Sequence, residues 1–549
     1  SVTWQNLDND VTASINSSKI TAGSTAVQAA TEALAVNVTG QVSLSSVAAG
    51  LALAQTSVEN TTGAYVEDST ITANTYEDDG TVSTAVPGAL AVTAQNSGQQ
   101  YTVAAGVGVS TGYAAVNGTV TVNLGHNNVE AVVDKSALEN MQSVGVRTLD
   151  ESILASTAGG VGAGKYAAMG GSVAYNEVGS LSGSEEEKKQ LNRAQINDTE
   201  ITTANAGKIE VAAQDEALLV TGAIGVGITG SSSAALAAEG AAATALLNKA
   251  TEASMNAADI TAYENTNTKA DVAVTAASSS SSITTADVAS VTGSGTASIS
   301  MGAGVAVSRS EADTLALVSG GRQAVQNLNV LAQSAMLIDT VGVGGSVGIA
   351  GEGAGVAVQG NVAVNLINND TQAKISGGAD ITAENNVGAV ALSDEIINNY
   401  AGTAAVGGSA AAGVGVGVSV SVNEINGSTT AAIGDEGDES QTSVTALGLG
   451  DGLTTKTVIT ESEINDTLID SETVAINAKI DRSEETRQGI VVDASSTHDI
   501  KSLLVNAAAG AGIGVAGVTG TVNVNSIGGA TSASVSNAVL NGGSDSVNG

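Results

Sequence analysis

The sequence predicts an all-β chain, a parallel β-helix (β-solenoid) of irregular repeats drawn out into an elongated rod. Three observations carry this expectation: a recurring pair of aliphatic residues around a polar linker, long runs that alternate with period two, and a composition poor in large core side chains. The pair is an aliphatic residue, four mostly polar residues and a second aliphatic residue. It occurs at Ile15/Ile20, Val66/Ile71, Val133/Leu138, Ile196/Ile201, Met255/Ile260, Val325/Val330, Ile375/Ile381 (one residue longer), Ile469/Val474 and Val535/Leu540. Most copies lie roughly 50 to 70 residues apart, the range in which self-similarity marks stacked units that cannot bury an apolar face alone.

Each unit opens with a run of Gly, Ala and Val. Examples start at Gly106 (GVGVSTGYAAVNGTVTVNLGHNN), Gly413 (GVGVGVSVSVNEING) and Gly512 (GIGVAGVTGTVNVNSIGG). Their alternation is the strand period, and Val, Ile and Thr suit a pleated surface. A transmembrane helix does not fit, because Gly at every second position costs roughly 1 kcal/mol each in a helix and no continuous apolar span results. One face of each run carries Val and Ile, and the other is bare enough for another sheet or molecule to approach closely. Asn123, Asn176, Asn365, Asn423 and Asn525 each follow a strand valine or its neighbour and are expected to hydrogen-bond backbone at equivalent corners.

The polar linkers Glu67-Asp68-Ser69-Thr70, Asn197-Asp198-Thr199-Glu200 and Asp470-Ser471-Glu472-Thr473 are turn-forming between short strands. With about 20 residues per coil and ~4.8 Å between strands, about 27 coils would form a rod on the order of 130 Å long. Residues 1–549 read as one continuous body with two departures. Residues 183–195 (GSEEEKKQLNRAQ) carry Ser184 and Glu187 at capping-box spacing and predict a short helical surface insertion. Residues 434–467 predict an acidic loop insertion, in which Asp435, Glu436, Asp438 and Glu439 offer oxygen ligands for Ca²⁺ or form a solvated loop. No other cofactor is expected.

The chain has no Cys or Phe, one Trp, one Pro and two His, so the core must be thin and built from small and β-branched residues. Eighteen basic against 55 acidic residues give a net charge of −37, which disfavours nucleic acid and anionic membrane as partners. Catalytic motifs lack their context. The G-x-S-x-G at Gly344–Gly348 has only His126 and His498 as possible partners, and G-x-x-x-x-G-K ending at Lys165 is followed by Tyr166 where Mg²⁺ binding needs Ser or Thr. Gly512, Gly514 and Gly517 fit G-x-G-x-x-G inside a β run with no helix to follow. The sequence therefore reads as non-enzymatic.

The unit GVAVQGNVAVNLINNDTQAKISGGADITA ending at Ala383, with echoes ending at Ala73 and Ala262, resembles the repeat regions of large secreted adhesins, haemagglutinin-like proteins and leukotoxin-type exoproteins of Gram-negative bacteria. The resemblance implies a parallel β-solenoid at the cell surface or outside the cell, and it transfers no catalytic residue. The leading expectation is an extracellular structural repeat protein forming a stalk, filament or surface-layer component. Its partners would be copies of itself, head to tail and laterally, or a surface ligand, with no membrane-spanning segment. A segment of a secreted toxin or receptor-binding exoprotein is the alternative. A polysaccharide-active β-helix enzyme comes third, because 2% aromatic residues leave few sugar platforms. The first phrase at Ile15 and the last at Leu540 suggest a mature form or excised segment whose open ends meet further strands.

Overall fold

A computed structural model describes residues 1–76, 82–83, 88–179, 189–262, 269–437, 440–461 and 481–542. Among these residues the protein is all-β and contains no helix. Most strands join one 23-stranded sheet. Its pairings are parallel: Ile15 lies beside Val66, Val66 beside Val133, Ile196 beside Met255, and Met255 beside Val318. Partners are far apart in sequence, 51 positions between Asn16 and Glu67 and 67 between Ser69 and Ser136.

The expectation of about 20 residues per coil is thereby corrected, because the spacing of the aliphatic phrase is the full pairing offset. The reason lies in the period-two runs. They contain few turn residues and form strands such as Ala270–Ser294, Arg322–Ala350 and Val387–Ser409, over 20 residues each. The chain at the phrase crosses nine rungs, Ile15, Val66, Val133, Ile196, Met255, Val318, Ile375, Ile433 and Val535. At ~4.8 Å per rung the stack is about 40 Å deep, well short of the 130 Å expected.

Each circuit has two long layers and a short third face. The chain runs out along one layer, reverses at a tip such as Gly351-Glu352-Gly353, and returns along the other. The layers face each other through side chains: Ser300 Oγ donates to Ser290 O at 2.7 Å, Ser346 Oγ to Val358 O at 2.9 Å, and Asn361 Nδ2 to Gly342 O at 3.1 Å. After the return strand comes a corner, then a short strand such as Lys19–Ala22, Thr70–Ala73, Asp380–Ala383 or Thr442–Ala446. The main apolar core fills this wide end and includes Ile71, Val133, Leu138, Ile201, Ile260, Val330 and Ile381.

Residues 190–195, expected within a helix, belong to the strand Gln190–Asn197, which pairs with residues on both sides. Alternation of Leu191, Arg193 and Gln195 outward with buried Asn192 and Ala194 suits a strand inside a sheet better than an isolated helix. Residues 183–188 lie outside the described residues. The acidic insertion also begins later than residue 434, since Thr442–Ala446 is a core strand pairing with Asp380–Ala383 and with Ala538–Leu540. The pairing offset widens beyond it, with Val387 opposite Ile490, which places the added length after Ala446. Within it, Leu453–Glu461 and Asp481–Arg487 form an antiparallel pair.

Candidate functional site

The corner begins with backbone conformation. The residue just past the first aliphatic position has positive φ in every circuit: Ser17, Asp68, Lys135, Asp198, Ala257, Gly320, Gly377, Gly434 and Asn537. Each bends the strand sharply, and from Ser17 to Gly320 the N–H reaches the next rung, as from Ser17 N to Glu67 O (3.0 Å) and Asp198 N to Asn256 O (2.9 Å), whereas Gly434 N–H donates back to Ile375 O at 2.6 Å. A hydroxyl follows. Ser69 Oγ folds back onto Glu67 O at 2.7 Å and accepts Ser18 N–H at 3.0 Å, while Ser69 N–H donates to Ser136 Oγ at 3.2 Å. Thr199 repeats the arrangement against Asn197 O.

Beyond the corner a second aliphatic ladder runs Ile20, Ile71, Leu138, Ile201, Ile260, Gln323, Ile381, Val444 and Leu540. Two phrases are therefore displaced from their expected places. Val325 and Val330 are buried in the core but off both ladders; the true pair in that circuit is Val318 and Gln323. A polar residue stands where the pattern calls for an aliphatic one, and its Nε2 donates to Ala258 O at 2.8 Å and Gly320 O at 3.0 Å. In the circuit before the insertion the pair is Ile433 and Val444, stretched by the acidic turn between them. Ile469 and Val474 lie outside the described residues. Ile15 and Ile20 are partly buried against the core, and Val535 and Leu540 are exposed on the final rung.

Asn123, Asn176, Asn365, Asn423 and Asn525 share a single rung position, in the order Gln5, Thr56, Asn123, Asn176, Ala245, Ser308, Asn365, Asn423, Asn525. This position lies on the long return layer, short of the corner: the strand runs on past Asn123, Asn423 and Asn525, and ends two residues beyond Asn176 and Asn365, at Val178 and Ile367. The side chains point between the layers and meet a facing ladder of Thr102, Ser156, Thr221, Thr284, Thr340, Asn399 and Ser502. Thr56 and Thr102 hydroxyls lie 2.7 Å apart, Asn176 Nδ2 donates to Thr221 Oγ1 at 2.8 Å, Thr284 and Ser308 hydroxyls meet at 2.6 Å, and Thr340 Oγ1 donates to Asn365 Oδ1 at 2.5 Å. Along the ladder Asn365 Nδ2 donates to Asn423 Oδ1, and Asn423 Nδ2 to Asn525 Oδ1, both at 2.8 Å. Each bond is worth roughly 1 kcal/mol net, but leaving one partner unpaired here costs more. The facing ladder was not anticipated; its members are Thr, Ser or Asn at intervals that vary from circuit to circuit, so no constant spacing marks them.

Buried charge flanks this zipper, with Asp150, Asp215, Lys249 and Glu395 toward the apolar core and Glu239 toward the tip. Asn96 Nδ2 donates to Asp150 Oδ1 at 2.6 Å, Gln190 Nε2 also donates to Asp150, and Lys249 forms a fully buried ion pair with Asp215. Burial, reinforced by the neighbouring Asp215, raises the Asp150 carboxyl. Burial raises Asp215 as well, and Lys249 pulls it back. Glu239 is pushed up to about 8 by burial alone, and neither of its oxygens has a hydrogen-bond partner among the described residues. Glycine makes its space, since a Cβ on Gly170 would come 2.1 Å from Oε2 and one on Gly227 2.4 Å from Oε1. Glu395, also pushed to about 8 chiefly by burial, has Oε2 3.4 Å from His498 Nε2, whose own pKa burial lowers.

Asp435 lies at the exposed turn before Thr442–Ala446 and accepts the Gly437 N–H at 3.0 Å; Glu436 is beside it, and Asp438 and Glu439 lie outside the described residues. Among the described residues no group of three or more His, Asp or Glu is placed to hold a metal ion. Ser346 of the G-x-S-x-G stretch is buried mid-strand, donating to Val358 O, and Gly159–Gly164 is strand ending at the Lys165 tip. An open, polar cleft of about 730 Å³ lies beside the insertion, lined by Lys208, Asp271, Asn327, Asn385, Asp451 and Leu453. Asn327 Nδ2 bonds Asp271 Oδ1, and Asn386 Nδ2 bonds Asp451 O, both at 2.8 Å. No helix is long and apolar enough to cross a membrane among the described residues. No protein-family model matches this sequence, and neither a curated protein nor a solved structure matches it significantly.

Proposed function

We propose that the chain is a structural repeat protein, a parallel β-solenoid flattened into two layers, that serves outside the cell as part of a stalk, filament or surface layer. The observation that carries this reading is the in-register ladder from Ile15 to Val535, one residue per circuit at the same corner. Stacked units of this kind pass load and order along one axis and present long repeating surfaces. The resemblance to adhesin and haemagglutinin-like repeats supports the same role, with copies of the chain or a surface ligand as partners. Electron microscopy of the purified protein tests it: flat, stacked particles and their assemblies are expected, and a spherical particle would overturn the solenoid.

The cleft beside the insertion favours a second reading, in which the repeat body carries a receptor- or ligand-binding segment. Its lining of amides with Lys208, Asp271 and Asp451 suits a polar ligand such as a glycan or a peptide. Screening glycans and peptides against the protein and its Asn327→Ala variant tests this, since binding indifferent to the substitution would place the ligand elsewhere. Turnover of any polysaccharide in the same screen would instead favour the enzymatic alternative.

A further inference from the structure

Charge is sparse in the tip half of the circuits, with Asp287 as its exception on the outgoing layer. No Asp, Glu, Lys or Arg occurs between Glu32 and Glu59, between Asp79 and Glu130, or between Glu395 and Glu424; Lys165 and Glu352 are confined to tips, and Glu239 points inward. Here the side-chain pattern is the reverse of an ordinary sandwich. In Ala412–Ile433, Gly413, Gly415, Gly417, Ser419 and Ser421 are buried between the layers while Val414, Val416, Val418, Val420 and Val422 face out. The alternation keeps its phase to Ile425, where the inward residue becomes aliphatic and joins a second buried cluster with Leu154, Val178 and Ile367. The bare glycine face is thus consumed inside the molecule, and the valine face is the one left for a partner.

On the return layer the outward residues stack as an apolar ladder: Val116, Met169, Ala238, Met301, Val358 and Val416 lie on successive rungs. Val116, Met169, Met301 and Val358 are 37 to 42% exposed. The outgoing layer is apolar too, but Asp287 stands in its middle beside Ile224 and Val343. About ten residues at ~3.3 Å rise by about seven rungs at ~4.8 Å give a flat footprint of roughly 1,100 Å². This exceeds the ~800 Å² per partner of a stable protein interface. An uncovered apolar face of that size is uncommon on a monomer.

We propose that the return-layer face of the tip half is a homotypic interface, on which a second copy of this chain packs sheet to sheet through the Val116–Met301–Val416 ladder. Charge distribution selects this occupant and its orientation. Among the described residues most acidic side chains lie toward the wide ends, so two copies meet tip half to tip half with the wide ends pointing apart. The proposal goes beyond a structural role and holds whether or not circuits also stack end to end.

Cysteine placement tests it, because the chain has none. Val305→Cys, beside Met301 on the return layer, is expected to form an intermolecular disulfide on mild oxidation, and Ile224→Cys on the outgoing layer is not. Sedimentation equilibrium should give at least twice the 53.2 kDa of one chain. Met301→Asp with Val358→Asp should reduce the mass to one chain while Ile224→Asp leaves it unchanged, with β-type circular dichroism retained in each. A monomeric parent, cross-linking through residue 224 in place of 305, or a monomer that floats with neutral phosphatidylcholine vesicles would each overturn the proposal, the last by making lipid the occupant.

Discussion

Glu239 holds a proton that an exposed glutamate would have lost, because its site offers no donor and no cation. Its folded pKa, about 8, lies above the ~4.3 of an unfolded chain, so the native state binds the proton more tightly across that interval. The resulting stability is complete below pH ~4.3, declines as pH rises toward 8 and is flat above it. Glu395 adds to this trend, while His126 and His498, lowered by burial, oppose it by gaining stability as pH rises toward ~6.5. Glu239→Gln is therefore expected to raise the melting temperature at pH 8.5 and leave it nearly unchanged at pH 4; equal effects at both pH values would contradict the buried neutral carboxyl. Lys249→Met strands Asp215 and should cost about 3–5 kcal/mol in denaturant titration, most of it restored by a second change, Asp215→Leu. Ile260→Asp buries a charge in the main core and should cost several kcal/mol, on the order of the largest single-site effects.

The corner is a repeated element whose conformation is fixed more firmly than its sequence. Ser17, Asp68, Lys135, Asp198, Ala257 and Asn537 adopt the left-handed region at some cost, and Gly320, Gly377 and Gly434 adopt it freely. Gly321, also at positive φ, has no such latitude: a Cβ would lie 2.3 Å from Ala258 O, so Gly321→Ala should destabilise by about 2 kcal/mol or more, read from the shift in urea midpoint. The aliphatic phrase was legible in sequence because both of its residues face one apolar core at a constant spacing. It failed where Gln323 substitutes a satisfied amide for an aliphatic side chain and where the acidic turn separates Ile433 from Val444. The asparagines were recognisable as a set, but their location was not. A single sequence shows that Asn123 and Asn176 recur without showing that Thr102 and Thr221 face them, because the facing layer is set by where the tip falls.

At the scale of the molecule, parallel pairing was foreseeable from the repeats, and the circuit length was not, since one phrase per circuit and one per several coils look alike until strands are paired. The acidic surface at the wide end repels itself, so raising salt from 20 to 500 mM NaCl should raise the melting temperature; a fall would mean that ion pairs such as Arg147–Glu210 outweigh the repulsion. The amide and hydroxyl zipper bears on heat capacity. Unfolding an ordinary core exposes mainly hydrocarbon and gives a large positive change, whereas newly hydrated polar groups contribute with the opposite sign. Much of the tip-half interior is Ser, Thr, Asn and Gly, so calorimetry should find less than the usual ~12–15 cal/mol/K per residue. A smaller value flattens the dependence of stability on temperature, so the fold should tolerate cooling and warming more evenly than a hydrocarbon-filled protein of equal melting point.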